Sequence, residues 1–434
     1  MRCEMSLSQR NAIQAEEIRP GAVTNPRNTM NIVVDVRGAL DPQVLDAAFC
    51  DLIARHEPLR SRPAAGTTQM EIESVEDVSL EPLDTSGDPA TDANRLAALL
   101  DKTPVDLGSP PSVRGFLLTC HPQKHLIGLV FHHFAVDPTS LRLAIAELAA
   151  LYTARLRGQQ LPPNAMQYGQ YARWQVERLA GRAASDREAW LTALAGVQPP
   201  RYERDISFRP GSSPASRVLR TELLDHAEMR TVLAWSRRHR STPFTTLLAA
   251  FALALRARTD TDDLLLATVF EQRDRPEARQ LIGPFIYPTV LRLRTRSGES
   301  GPDWVTRVRT SVTGTYQRAQ FPLRDLVGAV PQLVPGLTGN EPTWYRMFEY
   351  LPNVDTAGFT FGEAQGKVTH STGTEQEDNH MGFFLRVRRT PQGALVGRTA
   401  YDAAEFSEAG ALALLDDFRS HLVRLCAMQE TAWR

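Results

Sequence analysis

The run LIGLVF at residues 126–131 ends in two histidines, His132 and His133, and an Asp-Pro pair follows at Asp137 and Pro138. A stretch apolar at consecutive positions reads as a strand buried on both faces, so it requires other elements layered on either side. That strand carries imidazole, the side chain that changes charge near neutral pH, to its own mouth. Strand side chains alternate between faces, so His132 and His133 cannot do the same job. One is expected to face a cavity as a general base and the other to pack behind it, with Asp137 holding the turn that aims the base.

The rest of the chain supplies those layers. Residues 30–37 are rich in β-branched side chains and read as a strand closed by Gly38. Asp41 and Pro42 then have the residue types of a helix cap and first position, and Val44, Leu45, Ala48, Phe49, Leu52 and Ile53 recur at helical spacing. A strand near 68–74, a helix over 91–101 and a hairpin pairing 113–120 with 125–131 are expected next. After the histidines, 140–155 has a 3.6-residue apolar pattern, and a helix carrying Trp174 and Trp190 leads to a Pro/Gly/Ser-rich connection at 198–216. Beyond it the pattern starts over. Strands are expected near 217–224, 263–269, 344–350, 380–388 and 394–401, an apolar segment spans 282–293, and helices are expected over 226–239, 243–257, 302–319 and 408–427. The fold class is therefore α+β in two facing halves, drawn as 1–178 and 179–434.

Composition excludes several functions. Lys and Arg total 49 against 50 Asp and Glu, a formal net charge of −1, so no overall field recruits nucleic acid or an anionic membrane. Cys3, Cys50, Cys120 and Cys426 have neither zinc-ligand spacing nor the density of a disulfide framework. Glu375, Glu377 and Asp378 cluster near His380 without metal-like spacing, and no metal is assigned. The first residues lack an apolar core of signal-peptide type and no stretch has the length of a membrane span, so a cytoplasmic protein is expected. Outside the pair, His56 is read as a helix-end hydrogen bonder, and His121 and His125, flanking the hairpin turn, as solvated.

The string HHFAVD at 132–137 resembles the HHxxxD signature of the condensation-domain superfamily, which includes the condensation domains of nonribosomal peptide synthetases and chloramphenicol acetyltransferase. Other segments are similar to that family in chain order. They are SLSQ from Ser6, RHEPLR from Arg55, VDL from Val105 with Pro111 and Arg114, YGQYARW from Tyr168, FEQR ending at Arg273, IGPFIYPT from Ile282 and QFPL from Gln320. Some positions depart from it. Pro138 stands where the family has Gly, Tyr287 and Pro288 replace an Asn, and the acids of the QDxPFE element are missing. No DFGWG string occurs, and the second aspartate of heterocyclization domains is absent.

The resemblance implies two acetyltransferase-like subdomains in a V-shaped pseudo-dimer, with a tunnel where donor and acceptor meet. The donor would be an acyl or peptidyl thioester on the phosphopantetheine arm of a carrier protein, and the acceptor a small or carrier-bound amine or hydroxyl. No cofactor would be bound by the chain itself. By the resemblance His133 is the catalytic residue and His132 is structural. Asp137 pins the loop by a salt bridge to Arg273, and Ser140 is a candidate for meeting the oxyanion or for capping. The product would be a nonribosomal peptide or related natural product such as an antibiotic. Two alternatives remain open at this point: an acyltransferase using acyl-coenzyme A, and a silent relative that docks tailoring enzymes.

Overall fold

The structure is a computed structural model and describes the chain apart from residues 19, 22, 204–205, 207–215, 334–345, 352–357, 373–381 and 428–434. Most of the expected 198–216 connection, and the cluster of Glu375, Glu377, Asp378 and His380, lie outside the described residues. The fold is α+β in two compact units. The first comprises Met1–Arg182, Glu271–Ile286 and Thr356–Gln376, and the second Ala183–Phe270, Tyr287–Asp355 and Glu377–Arg434. The first unit's leading segment ends at Arg182, and two later segments drawn into the 179–434 half group with it.

In the first unit a six-stranded sheet runs in the order Phe359–Phe361, Ala364–Thr372, Thr29–Arg37, Lys124–His132, Val113–His121 and Glu81–Leu83. All neighbours are antiparallel except the last pair. The Lys124–His132 strand is covered on both faces, as its apolar run requires. Ile127, Leu129 and Phe131 pack with the helices Pro42–Arg55 and Pro138–Leu156, whereas Leu126 and Val130 meet Leu96 and Leu100 of the helix Pro89–Lys102. Gly128 lets that helix approach closely, since a Cβ there would stand 3.0 Å from both leucines. Asp41 caps the Pro42–Arg55 helix by accepting from the Gln43 and Val44 amides, as its sequence pattern predicts.

The second unit also holds a six-stranded sheet, ordered Ile286–Arg294, Asp263–Glu271, Arg346–Leu351, Phe383–Arg389, Leu395–Asp402 and Ser216–Leu224. Its central pairings are parallel and its pairings toward Ser216–Leu224 antiparallel. Helices His226–Arg238, Pro243–Arg256, Gly301–Gln317 and Glu408–Ala427 bury one face around Phe251, Phe348 and Phe418. The single helix expected to carry both tryptophans is two, Tyr168–Ala180 and Ala183–Leu194, parted at Gly181. No helix of the described residues is long and apolar enough to cross a membrane.

Candidate functional site around the paired histidines

The strand ends at His132 and the chain turns at once, the Ala135 amide donating to the His132 carbonyl at 3.0 Å. Asp137 then caps the Pro138–Leu156 helix through the Ser140 amide at 2.8 Å. Pro138 occupies the first helical position, where a backbone N–H would have no intrahelical partner and a φ near −65° is already helical. Strand, tight turn and capped helix therefore fix both imidazoles within six residues of backbone geometry.

The two rings differ in environment and tautomer. His132 is fully buried, and its Nδ1 accepts the Phe134 amide at 3.1 Å, so the ring is neutral with its hydrogen on Nε2. Burial, helped by the neighbouring His133, pulls its pKa down to about 4. His133 is half-buried, with Nδ1 2.9 Å from the Val136 carbonyl. A carbonyl only accepts, so Nδ1 carries a hydrogen. One ring is thereby enclosed by packing, and the other is oriented by the backbone of its own loop.

Asp137 is also fully buried, and its carboxylate is saturated with donors. It accepts Arg273 Nη2 at 2.8 and 2.9 Å, the Ser140 hydroxyl at 2.7 Å and the Phe285 amide at 3.1 Å in addition to its cap. It contacts neither histidine in this network. Arg273 in turn donates Nη1 to the Ala278 and Leu281 carbonyls and Nε to Glu271, and its guanidinium lies 4.1 Å over the Phe285 ring. Ser140, read in the sequence as a candidate for meeting the oxyanion or for capping, joins the same network. Its hydroxyl is 2.8 Å from the Gly283 carbonyl and accepts the Gly283 amide at 3.0 Å and Arg273 at 3.2 Å, so its one hydrogen is committed.

The distant motifs converge on the frame behind this loop. Tyr168 places its hydroxyl 2.8 Å from Ser6 Oγ and 2.6 Å from the Pro284 carbonyl, while its ring lies where a Cβ on Gly283 would be, 2.2 Å from Cε2. Only glycine fits at 283. Ser6 and Gln9 exchange hydrogen bonds, Gln175 accepts the Leu7 amide at 2.9 Å, and Glu57 accepts the Gly169 amide at 2.8 Å. His56 pairs with Glu147 at 2.6 Å, and although burial alone would raise the Glu147 carboxyl, hydrogen bonds from His56 and Arg55 hold it below the usual range. His125, expected to be solvated, is buried at 3% exposure and bonded to Thr119, and desolvation lowers its pKa. Its strand position sends it inward despite the nearby turn.

Residues missed in the sequence are backbone partners: the Val136 carbonyl, and the Gly283 and Phe285 peptide groups. Main-chain atoms carry no residue signature, and only the glycine hints at close contact.

A family model described as Condensation domain matches residues 27–432. Among curated proteins, the chain is 28% identical over 335 residues to malpinin synthetase of Mortierella alpina, covering 75% of this chain and 4% of that protein. It is 27% identical over 294 residues to tyrocidine synthase 3 of Brevibacillus parabrevis, covering 67% and 4% respectively. The chain thus spans a small fraction of these relatives. Among solved structures, it resembles the SgcC5 protein from Streptomyces globisporus with a TM-score of 0.82 at 22% identity, covering 99% of this chain and 100% of that one. The X-domain from teicoplanin biosynthesis gives 0.79 at 21% identity, covering 99% and 96%. A match that runs through the histidine pair, the Asp137–Arg273 pair and most of both units places this chain in the condensation-domain family.

Proposed function

We propose that the chain is an acyltransferase that joins an acyl or peptidyl group, presented as a thioester on the phosphopantetheine of a carrier protein, to an amine or hydroxyl acceptor. The observation that carries this reading is the tautomer of His133: Nδ1–H is committed to the Val136 carbonyl, which leaves Nε2 as acceptor. As the acceptor attacks the thioester carbonyl, Nε2 takes its proton. The tetrahedral centre then collapses, the carbon–sulfur bond breaks, and the departing thiolate recovers the proton. General-base assistance of this kind is worth about 10²- to 10⁴-fold, and holding two reactants in place contributes on the order of 7–11 kcal/mol. His132, Asp137, Arg273 and Ser140 are positioning residues in this scheme. No step calls for a metal or a bound cofactor.

The test compares the protein and its His133→Ala variant on one acyl group carried either by a carrier protein or by coenzyme A, with product read by mass spectrometry. Carrier-dependent turnover that falls by about 10² or more in the variant is expected. Equal or faster transfer from coenzyme A would remove the carrier dependence, and full turnover in the variant would remove the role of His133. A second reading has support in a neighbour solved as the complex of the X-domain and OxyB from teicoplanin biosynthesis. A docking platform of that kind would bind a partner enzyme equally well with or without His133 and show no turnover.

A further inference from the structure

The second unit contains a cleft of about 800 Å³ built without any residue of the histidine site. Its walls are the Ala183–Leu194 helix, the end of the Ile286–Arg294 strand, the loop after it, and the Gly301–Gln317 helix. Five arginines line it against two carboxylates, Glu299 and Asp303.

Two of these arginines are occupied. Arg292 grips Asp263 through Nε and Nη2 at 2.8 and 2.5 Å and donates Nη1 to the Ala195 carbonyl at 2.7 Å, which ties the strand to the preceding helix. Arg307 is paired with Glu299, and Asp303 accepts the Ser300 hydroxyl at the helix cap. Two others are held loosely. Arg294 reaches Asp263 only at 3.4 Å, a carboxylate Arg292 already holds, and its side chain is 60% exposed. Arg296 is exposed on the loop after the strand and forms no ion pair among the described residues.

Arg318 lines the cleft beside Trp190. Its guanidinium lies 5.2 Å from the centre of the Trp190 ring, and both residues belong to the lining. Burial lowers the Arg318 pKa, opposed by the field of Asp186, so its charge is held in a partly desolvated wall where an anion would be favoured. Ser297, Thr306 and Thr315 add hydroxyls to the same wall.

We propose that this cleft binds a small phosphate-bearing anion, held by the exposed Arg294 and Arg296 and by the half-buried Arg318. Planar guanidinium forks match phosphate oxygens two at a time, and a concave site suits a compact ligand better than a protein surface. The cleft is of small-ligand size, and the two carboxylates in its lining are already engaged by Arg307 and Ser300.

Isothermal titration of the whole chain with inorganic pyrophosphate, and separately with adenosine diphosphate, tests this. One anion per chain is expected, with affinity falling steeply as salt is raised. Arg296→Gln, at an exposed loop position, and Arg318→Lys, which keeps the charge but loses the fork, should each weaken binding about tenfold. Tighter binding of the nucleotide would identify the ligand as a phosphate ester with an organic group, and equal binding as the free anion. Absence of binding to both compounds at about 1 mM, the weak end of specific association, would overturn the proposal. So would wild-type affinity in Arg296→Gln, the variant that leaves the buried wall intact.

Discussion

Arg273 Nη2 donates to both carboxylate oxygens of Asp137, 136 residues away in the chain, at 2.8 and 2.9 Å. The pair is nearly dry, with side-chain exposures of 8% and 0%. Taking two charges out of water is costly, and the cost is met here because every donor around Asp137 is aimed at it. The ion pair thereby joins the loop after the histidines to the Arg273 segment.

Removing one side should expose that cost. Asp137→Ala leaves Arg273 buried without its carboxylate and is expected to lose about 3–5 kcal/mol of stability. Chemical denaturation measures it. A variant that stayed as stable as the parent yet lost acyl transfer would give Asp137 a chemical role instead.

Gly283→Ala places a methyl group 2.2 Å from the Tyr168 ring. Overpacking in a rigid site costs about 1–3 kcal/mol. Tyr168→Ala opens the space but forfeits the hydroxyl bonds to Ser6 and Pro284. The double variant should consequently be more stable than the sum of the two single losses, and a thermodynamic cycle reads the coupling.

His132 links stability to pH. Its folded pKa of about 4 lies below the ordinary 6.5, so between these values the unfolded chain binds more protons than the folded one. Stability rises with pH in that window: the contribution is complete above about 6.5 and is lost as pH falls toward about 4. Its upper limit is about 3 kcal/mol. Denaturation curves across the window should flatten in His132→Gln relative to the parent, and parallel curves for the two proteins would refute the assignment.

Pro138→Gly restores the residue found in the family resemblance. Because Pro138 sits at the first helical position, the change should act through the unfolded chain and cost about 0.4–1 kcal/mol. Turnover should stay within about threefold of the parent, less than 1 kcal/mol of barrier. An increase of tenfold or more would mean that an amide at 138 serves the oxyanion and that the native chain works without it.

The sequence made the local elements legible where apolar residues ran together as in a buried strand or recurred at helical spacing. Thr29–Arg37, Lys124–His132 and Pro138–Leu156 each follow their apolar pattern closely, and the Asp41 cap and Pro138 start obey ordinary helix chemistry. The Ala364–Thr372 strand left no such trace. Its residues include Gln365, Gly366, Lys367 and His370, and it becomes a strand by pairing along Thr29–Arg37. That pairing partner lies more than 300 positions earlier, where no window along the chain can find it. The Glu271–Ile286 segment was legible as a motif but not as part of the first unit, because Gly283 and Phe285 act through peptide atoms. His125 illustrates the opposite error, in which proximity to a turn outweighed a place in the alternation of a buried strand.

A first unit assembled from three separated segments also sets an order of events during synthesis. When a ribosome has released residues 1–182, the nascent chain contains both histidines and Asp137 but not Arg273, Gly283 or Phe285. The aspartate then has no ion-pair partner, and the edge of Thr29–Arg37 that later receives Ala364–Thr372 is still open. Domains that fold as they emerge usually complete themselves from the N-terminus onward. Here the early half must wait for chain made far later, so a nascent product stalled before residue 271 carries an unfinished, aggregation-exposed sheet edge.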